Sequence, residues 1–184
     1  LNSIIQARVG AGDADPDIYT ADQPRIAALV DRGMLLDLSP YVDVIEGVIQ
    51  SSVDASTVDG KLYALPISTS SQITYYNKSL LDAAGIAHPS IDPAERMTWE
   101  DMRENGEKSR AAGSDFGFMW DQINRYYQLQ PLVESAGGGS GIGPGQLDID
   151  VTNEGWVKAM TFYAATFADG LAPRGVQPGQ TKDV

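Results

Sequence analysis

At 184 residues the chain is long enough for one domain or two small ones, and its 42% hydrophobic content marks a folded protein rather than a disordered one. Its formal net charge is −12, with basic residues scattered singly, so nucleic acid and anionic membrane surfaces would repel it at long range. Cysteine is absent, which excludes disulfides, thiolate catalysis and cysteine-based zinc sites.

In chain order, apolar residues at Leu1, Ile4, Ile5 and Val9 predict the end of an amphipathic helix, stopped by Gly10 and Gly12. The start has neither the basic residues nor the apolar stretch of a signal peptide, so an exported protein would have its targeting segment outside this sequence. No apolar run is long enough for a transmembrane span. The alternating carboxylates of Asp13, Asp15 and Asp17 suggest a calcium loop, but Ile18 and Pro24 stand where that loop needs Gly and Glu. A short strand is expected at Pro16 to Thr20. A helix follows from Gln23 to Arg32, with Ile26, Ala27, Leu29 and Val30 inward and Gly33 as its stop.

In a parallel α/β sheet the loop leaving a strand's carboxyl end faces the ligand crevice, which makes Asp22, Gln23 and Arg25 candidate contacts. Asp22 equally suits the cap of a helix begun by Pro24. Leu35, Leu36 and Leu38 are expected in the core, and Asp43 to Val58 in short helical pieces before a turn at Asp59 and Gly60. Leu62, Tyr63, Leu65 and Ile67, then Ile73, Tyr75 and Tyr76, have the β-branched and aromatic content of buried strands. Between them Ser68 to Gln72 offer side chains that can grip hydroxyls, Thr69 and Ser70 foremost. The stretch reads as a hinge or as a hairpin with a polar turn.

Ser79 to Ala84 predicts a short helix ended by Gly85, with Asn77 a buried backbone-bonding residue beside the hinge and His88 isolated in a loop. Thr98 and Asp101 predict a capping box for a helix reaching about Ala112. Phe116 to Trp120 is expected as a strand. Trp120, Asp121, Arg125, Tyr126 and Tyr127 then bring together rings that stack on sugar faces and polar groups that take hydroxyls. A helix with an aromatic core stripe through Tyr126, Gln130 and Val133 fits the same residues. The glycines from Gly137 to Gly145 lack dinucleotide or phosphate-loop spacing and are expected in a flexible surface loop. Leu147 to Val151 alternates like an exposed strand. Asn153 should cap a helix to Ala168 with Val157, Met160, Phe162, Tyr163 and Phe167 inward, ended by Gly170, and Arg174 to Val184 should form an open tail.

Three stretches in order carry a resemblance: Asp59 to Pro66 (DGKLYALP), Tyr75 to Ile86 (YYNKSLLDAAGI) and Thr98 to Met102 (TWEDM). Together they resemble the extracellular solute-binding proteins that feed ABC importers, in the carbohydrate-binding branch that includes maltose-binding protein. That resemblance implies a periplasmic-binding-protein-like two-lobe α/β fold of class II type. Lobe one would span residues 1–67, the hinge 68–73 and lobe two 74–184. Members are roughly twice this length, so the fold is expected to be incomplete at both ends, without the opening strand-helix-strand and the long C-terminal part. The resemblance implies a carbohydrate ligand between the lobes, transporter membrane subunits as partners, and a periplasmic or extracellular location in a bacterium. It also implies ligand contact in the loop of Asp22, Gln23 and Arg25, and sugar-stacking aromatics before Ala136-Gly137-Gly138.

The residues carry no catalytic motif, no cofactor fingerprint and no metal-binding pattern. Paired carboxylates, as in glycoside hydrolases, are the one enzymatic alternative the composition leaves.

Overall fold

Helices make up most of the regular structure, because a helix closes its own hydrogen bonds while a strand needs a neighbour. The computed structural model describes residues 2–13, 15–42, 46–121, 126–143 and 147–176. They form two units, the first ending at Ser71 but including Leu147, the second running from Gln72 to Gly143 and resuming at Asp148.

The first unit opens with α1 (Asn2–Gly10), which buries Ile5. A 3-10 turn at Gln23–Arg25 leads into α2 (Ile26–Asp31), whose Ile26 and Leu29 lie one turn apart and face inward. A short α3 (Gln50–Asp54) precedes a hairpin of β1 (Thr57–Val58) and β2 (Lys61–Leu62), with Thr57 opposite Leu62 and Val58 opposite Lys61. Its two turn residues, Asp59 at φ 49° and Gly60 at φ 75°, are both left-handed, as a tight hairpin turn requires. Residues 37–39 run beside β2: the Leu38 N–H donates to the Leu62 carbonyl at 2.7 Å, and the Leu62 N–H to Ser39 Oγ at 2.9 Å. Lys61 pairs with Asp37 at 3.2 Å. The core of this unit is Ile5, Ile26, Leu29, Val58 and Leu62, with β1 packed on α2.

In the second unit α4 (Lys78–Ala83) is capped by Asn77, and α5 (Trp99–Ala111) opens with the expected capping box. There the Asp101 N–H donates to Thr98 Oγ1 at 3.0 Å, and the Thr98 N–H to the Asp101 carboxylate at 2.9 Å. Helix α6 (Gln130–Ser135) packs on α7 (Glu154–Ala168), which Asn153 caps through the Trp156 N–H. Their contact is the core of Leu132, Val133 and Ala159, rimmed by Trp99, Trp120, Trp156, Met160, Phe162 and Tyr163. Two glycine pairs permit the closest approaches. A Cβ on Gly106 would lie 2.6 Å from the Gly117 carbonyl oxygen, and one on Gly138 would lie 2.5 Å from Val133 Cγ1, with Gly155 behind it.

Several expectations are corrected. Pro16 to Thr20 and Phe116 to Trp120 form no strand, and of the runs flanking the polar row only Leu62 lies in a strand. The N–H groups of Gly117 and Phe118 bond instead to the Leu171 carbonyl, at 3.0 and 3.1 Å. Leu65, Ile67, Ile73 and Tyr75 are at least half exposed, since no neighbouring strand among the described residues brings a sheet to cover them. Leu36 and Val157 also face outward. Asn77 is an exposed helix cap rather than a buried residue. Gly138 is buried packing, not surface loop, and Val176 is buried rather than in an open tail, whose remainder at 177–184 lies outside the described residues.

Candidate functional site

Within the first unit, Asp22, Gln23 and Arg25 are all exposed. Asp22 stands at the cap position with extended backbone, yet its side chain makes no capping bond, and Oδ2 lies 4.0 Å from Arg25 Nε. Arg25 joins Ile5, Gln6, Tyr19, Ala21 and Leu29 around a shallow hollow. Tyr19 anchors that wall by donating its hydroxyl to the Met34 carbonyl at 2.9 Å, and burial pushes its phenol above the usual range, so it stays a neutral donor.

The two candidate segments of this unit meet on one short helix. Gln23 Nε2 donates to the Ala55 carbonyl at the end of α3 at 3.4 Å, and Thr69 Oγ1 lies 3.1 Å from Ser52 Oγ one turn earlier. Ser70 is exposed beside Thr69. Sequence reasoning missed Ser52 and Ala55. A serine in a five-residue helix and a backbone carbonyl carry no pattern that could have marked them.

Within the second unit, Trp120 is half-buried and surrounded by rings: Phe118 at 4.7 Å, Tyr163 at 5.1 Å and Trp99 stacked at 5.9 Å. Its indole N–H donates to Thr166 Oγ1 at 2.9 Å. Asp121 is exposed next to it. Tyr126 and Tyr127 lie in a 3-10 turn (Tyr126–Gln128) leading to α6, with Tyr127 half-buried. Arg125 lies outside the described residues, and so does the rest of 122–124. His88 pairs with Asp82 at 2.9 Å, and no group of three or more metal-ligating side chains occurs among the described residues.

Comparison with known proteins places the chain in a family. The model of the bacterial extracellular solute-binding protein family matches residues 2–183. The chain belongs to that family. This solute-binding protein is 31% identical over 175 residues to the galactooligosaccharide-binding protein of Bacillus subtilis, covering 91% of the chain and 38% of the relative. It is also 31% identical over 177 residues to the maltodextrin-binding protein MdxE of Bacillus subtilis, covering 94% of the chain and 39% of that relative. The solute-binding chain therefore spans well under half the length of these relatives, which are named as binding proteins and not as enzymes.

Among solved structures, the GacH receptor of Streptomyces glaucescens superposes with a TM-score of 0.70 at 19% identity, over 98% of this chain and 45% of the receptor. Maltose-bound MalE3 of T. maritima gives 0.68 at 22% identity, over 96% and 44%. These likenesses show that the solute-binding chain takes the periplasmic-binding-protein-like fold and covers part of it. No helix among the described residues is long and apolar enough to cross a membrane.

Proposed function

We propose that the protein is an extracytoplasmic sugar receptor that binds a carbohydrate and delivers it to an ABC importer. The relatives named for galactooligosaccharide and maltodextrin binding carry this reading, through 31% identity across more than nine-tenths of the chain. The exposed set of Asp22, Gln23, Arg25, Thr69 and Ser70 suits it, offering carboxylate, amide, guanidinium and hydroxyl groups for sugar hydroxyls. Trp120, Asp121, Arg125, Tyr126 and Tyr127 complete the proposed contacts. The proposed mechanism is closure about residues 68–73, between a lobe of 1–67 and one of 74–184: ligand favours the closed state, and the importer's membrane subunits read that shape. The proposed location is the periplasm or the outer face of the cytoplasmic membrane.

Thermal denaturation with and without a maltodextrin and a galactooligosaccharide tests it. Ligand bound only by the folded state must raise the melting temperature, and the sugar should be recovered chemically unchanged. No rise with either sugar would overturn the reading, and hydrolysed sugar would favour the carboxylate-enzyme alternative.

A further inference from the structure

In the first unit α3 and its C-cap Ala55 touch both candidate contact segments. A carbonyl oxygen can only accept, so the Gln23 amide must turn its NH2 toward Ala55, 3.4 Å away, and its Oε1 the other way. Ser52 Oγ, 3.1 Å from Thr69 Oγ1, fixes the rotor of a hydroxyl that would otherwise swing freely on an exposed segment. Ser52 itself is half-buried, and the Ser56 hydroxyl closes back on its carbonyl at 3.0 Å. Ser56 in turn is buried, and its carbonyl accepts from the Tyr63 N–H at 3.0 Å. The holding groups at positions 52 and 55 are therefore one helical turn apart and tied into the hairpin, about 4.5 Å along the axis at the usual rise per residue.

We propose that Ser52 is a positioning residue for ligand: α3 holds the Thr69 hydroxyl through Ser52 and the Gln23 amide through Ala55, so that the two segments present a hydroxyl and a carbonyl acceptor to one sugar as a fixed pair. This inference rests on the reading of the protein as a sugar receptor. Groups already held in the binding geometry lose less freedom when the sugar arrives, which is how a residue that never touches ligand strengthens binding.

The experiment is calorimetric titration of the full chain with a maltodextrin and a galactooligosaccharide, for wild type, Ser52→Ala, Ser52→Thr, Thr69→Ala and the double variant Ser52→Ala with Thr69→Ala. Ser52→Ala should weaken binding about three- to tenfold, the span of one ordinary hydrogen bond. Ser52→Thr keeps the hydroxyl and should restore wild-type affinity, and adding Ser52→Ala to Thr69→Ala should change Kd by less than about twofold. Wild-type affinity in Ser52→Ala, a loss that Ser52→Thr does not restore, or an equal loss in the Thr69→Ala background would each overturn the positioning role while leaving the receptor reading intact. Absence of binding by the wild type itself would instead overturn the receptor reading, and the inference with it.

Discussion

Trp120 donates its indole N–H to the Thr166 hydroxyl at 2.9 Å, and Thr166 is completely buried. The same hydroxyl donates to the Tyr163 carbonyl at 2.7 Å, so one buried side chain of α7 bonds to both. Thr166→Val keeps the shape and removes both bonds. The Tyr163 carbonyl keeps its bond within α7, but leaving the indole N–H without a partner should lower unfolding free energy by about 1–3 kcal/mol, measured by urea denaturation. Wild-type stability in this variant would mean that the indole N–H finds another partner.

Trp120 also shows how a sugar-stacking candidate and a packing residue differ in their expected behaviour. With Phe118, Tyr163 and Trp99 around it, Trp120→Ala should reduce stability by up to about 3 kcal/mol, the low end for a large aromatic because the ring is only half-buried. Reduced sugar binding in that variant would then reflect lost folding as well as lost contact. Tyr127→Ala probes stacking at a second position, and titration below both melting temperatures should show weaker binding. Unchanged affinity in Tyr127→Ala would remove Tyr127 from the proposed contacts.

What the sequence disclosed follows the range of the forces involved. Thr98 with Asp101, Asn153, and the stops at Gly33, Gly85, Gly113 and Gly170 act within one helical turn, and each appears where its residue type demands. Strand expectations at Pro16 to Thr20, Ile73 to Tyr76 and Phe116 to Trp120 failed because a strand exists only with a partner, which side-chain content cannot supply. Side-chain chemistry and family likeness single out the loop of Asp22, Gln23 and Arg25, which the structure leaves exposed. Its link to Ala55 was not legible, since Gln23 reaches a backbone carbonyl 32 residues along the chain.

The glycine contacts yield a sharper stability test than the apolar core. A Cβ on Gly106 meets the Gly117 carbonyl oxygen at 2.6 Å, and a Cβ on Gly155 meets the backbone of Gly137 and Gly138. In both cases the obstacle is backbone, which cannot rotate away as a side chain would. Gly106→Ala and Gly155→Ala should each destabilise the protein by about 1–3 kcal/mol or more, despite the better helix propensity of alanine. Gly10→Ala serves as the control, because nothing lies within 4 Å of its Cβ and its φ is not left-handed. Equal melting temperatures for all three variants would show that α5 and α7 do not approach their neighbours so closely.

Acid should expose the capping box. The hydrogen bonds from the Thr98 backbone and side chain hold the Asp101 carboxyl below its ordinary value, and Ser39, with help from Lys61, does the same for Asp37. A carboxyl whose folded pKa is depressed contributes stability that is fully present above its unfolded pKa, near 4 on the usual scale, and that is lost as pH falls through the lower folded value. The window therefore opens at about pH 4 and extends downward, with neutral pH unaffected by this titration. Asp101→Asn keeps an oxygen able to accept the Thr98 N–H but cannot titrate, and at neutral pH it forfeits the favourable charge at the α5 N-terminus. Circular-dichroism melts from about pH 7 down to about pH 2.5 should show a lower starting melting temperature and a shallower acid decline for Asp101→Asn than for wild type. Parallel profiles for the two proteins would mean that the box carries no pH-dependent stability, and the acid sensitivity would then have to be sought at Asp37.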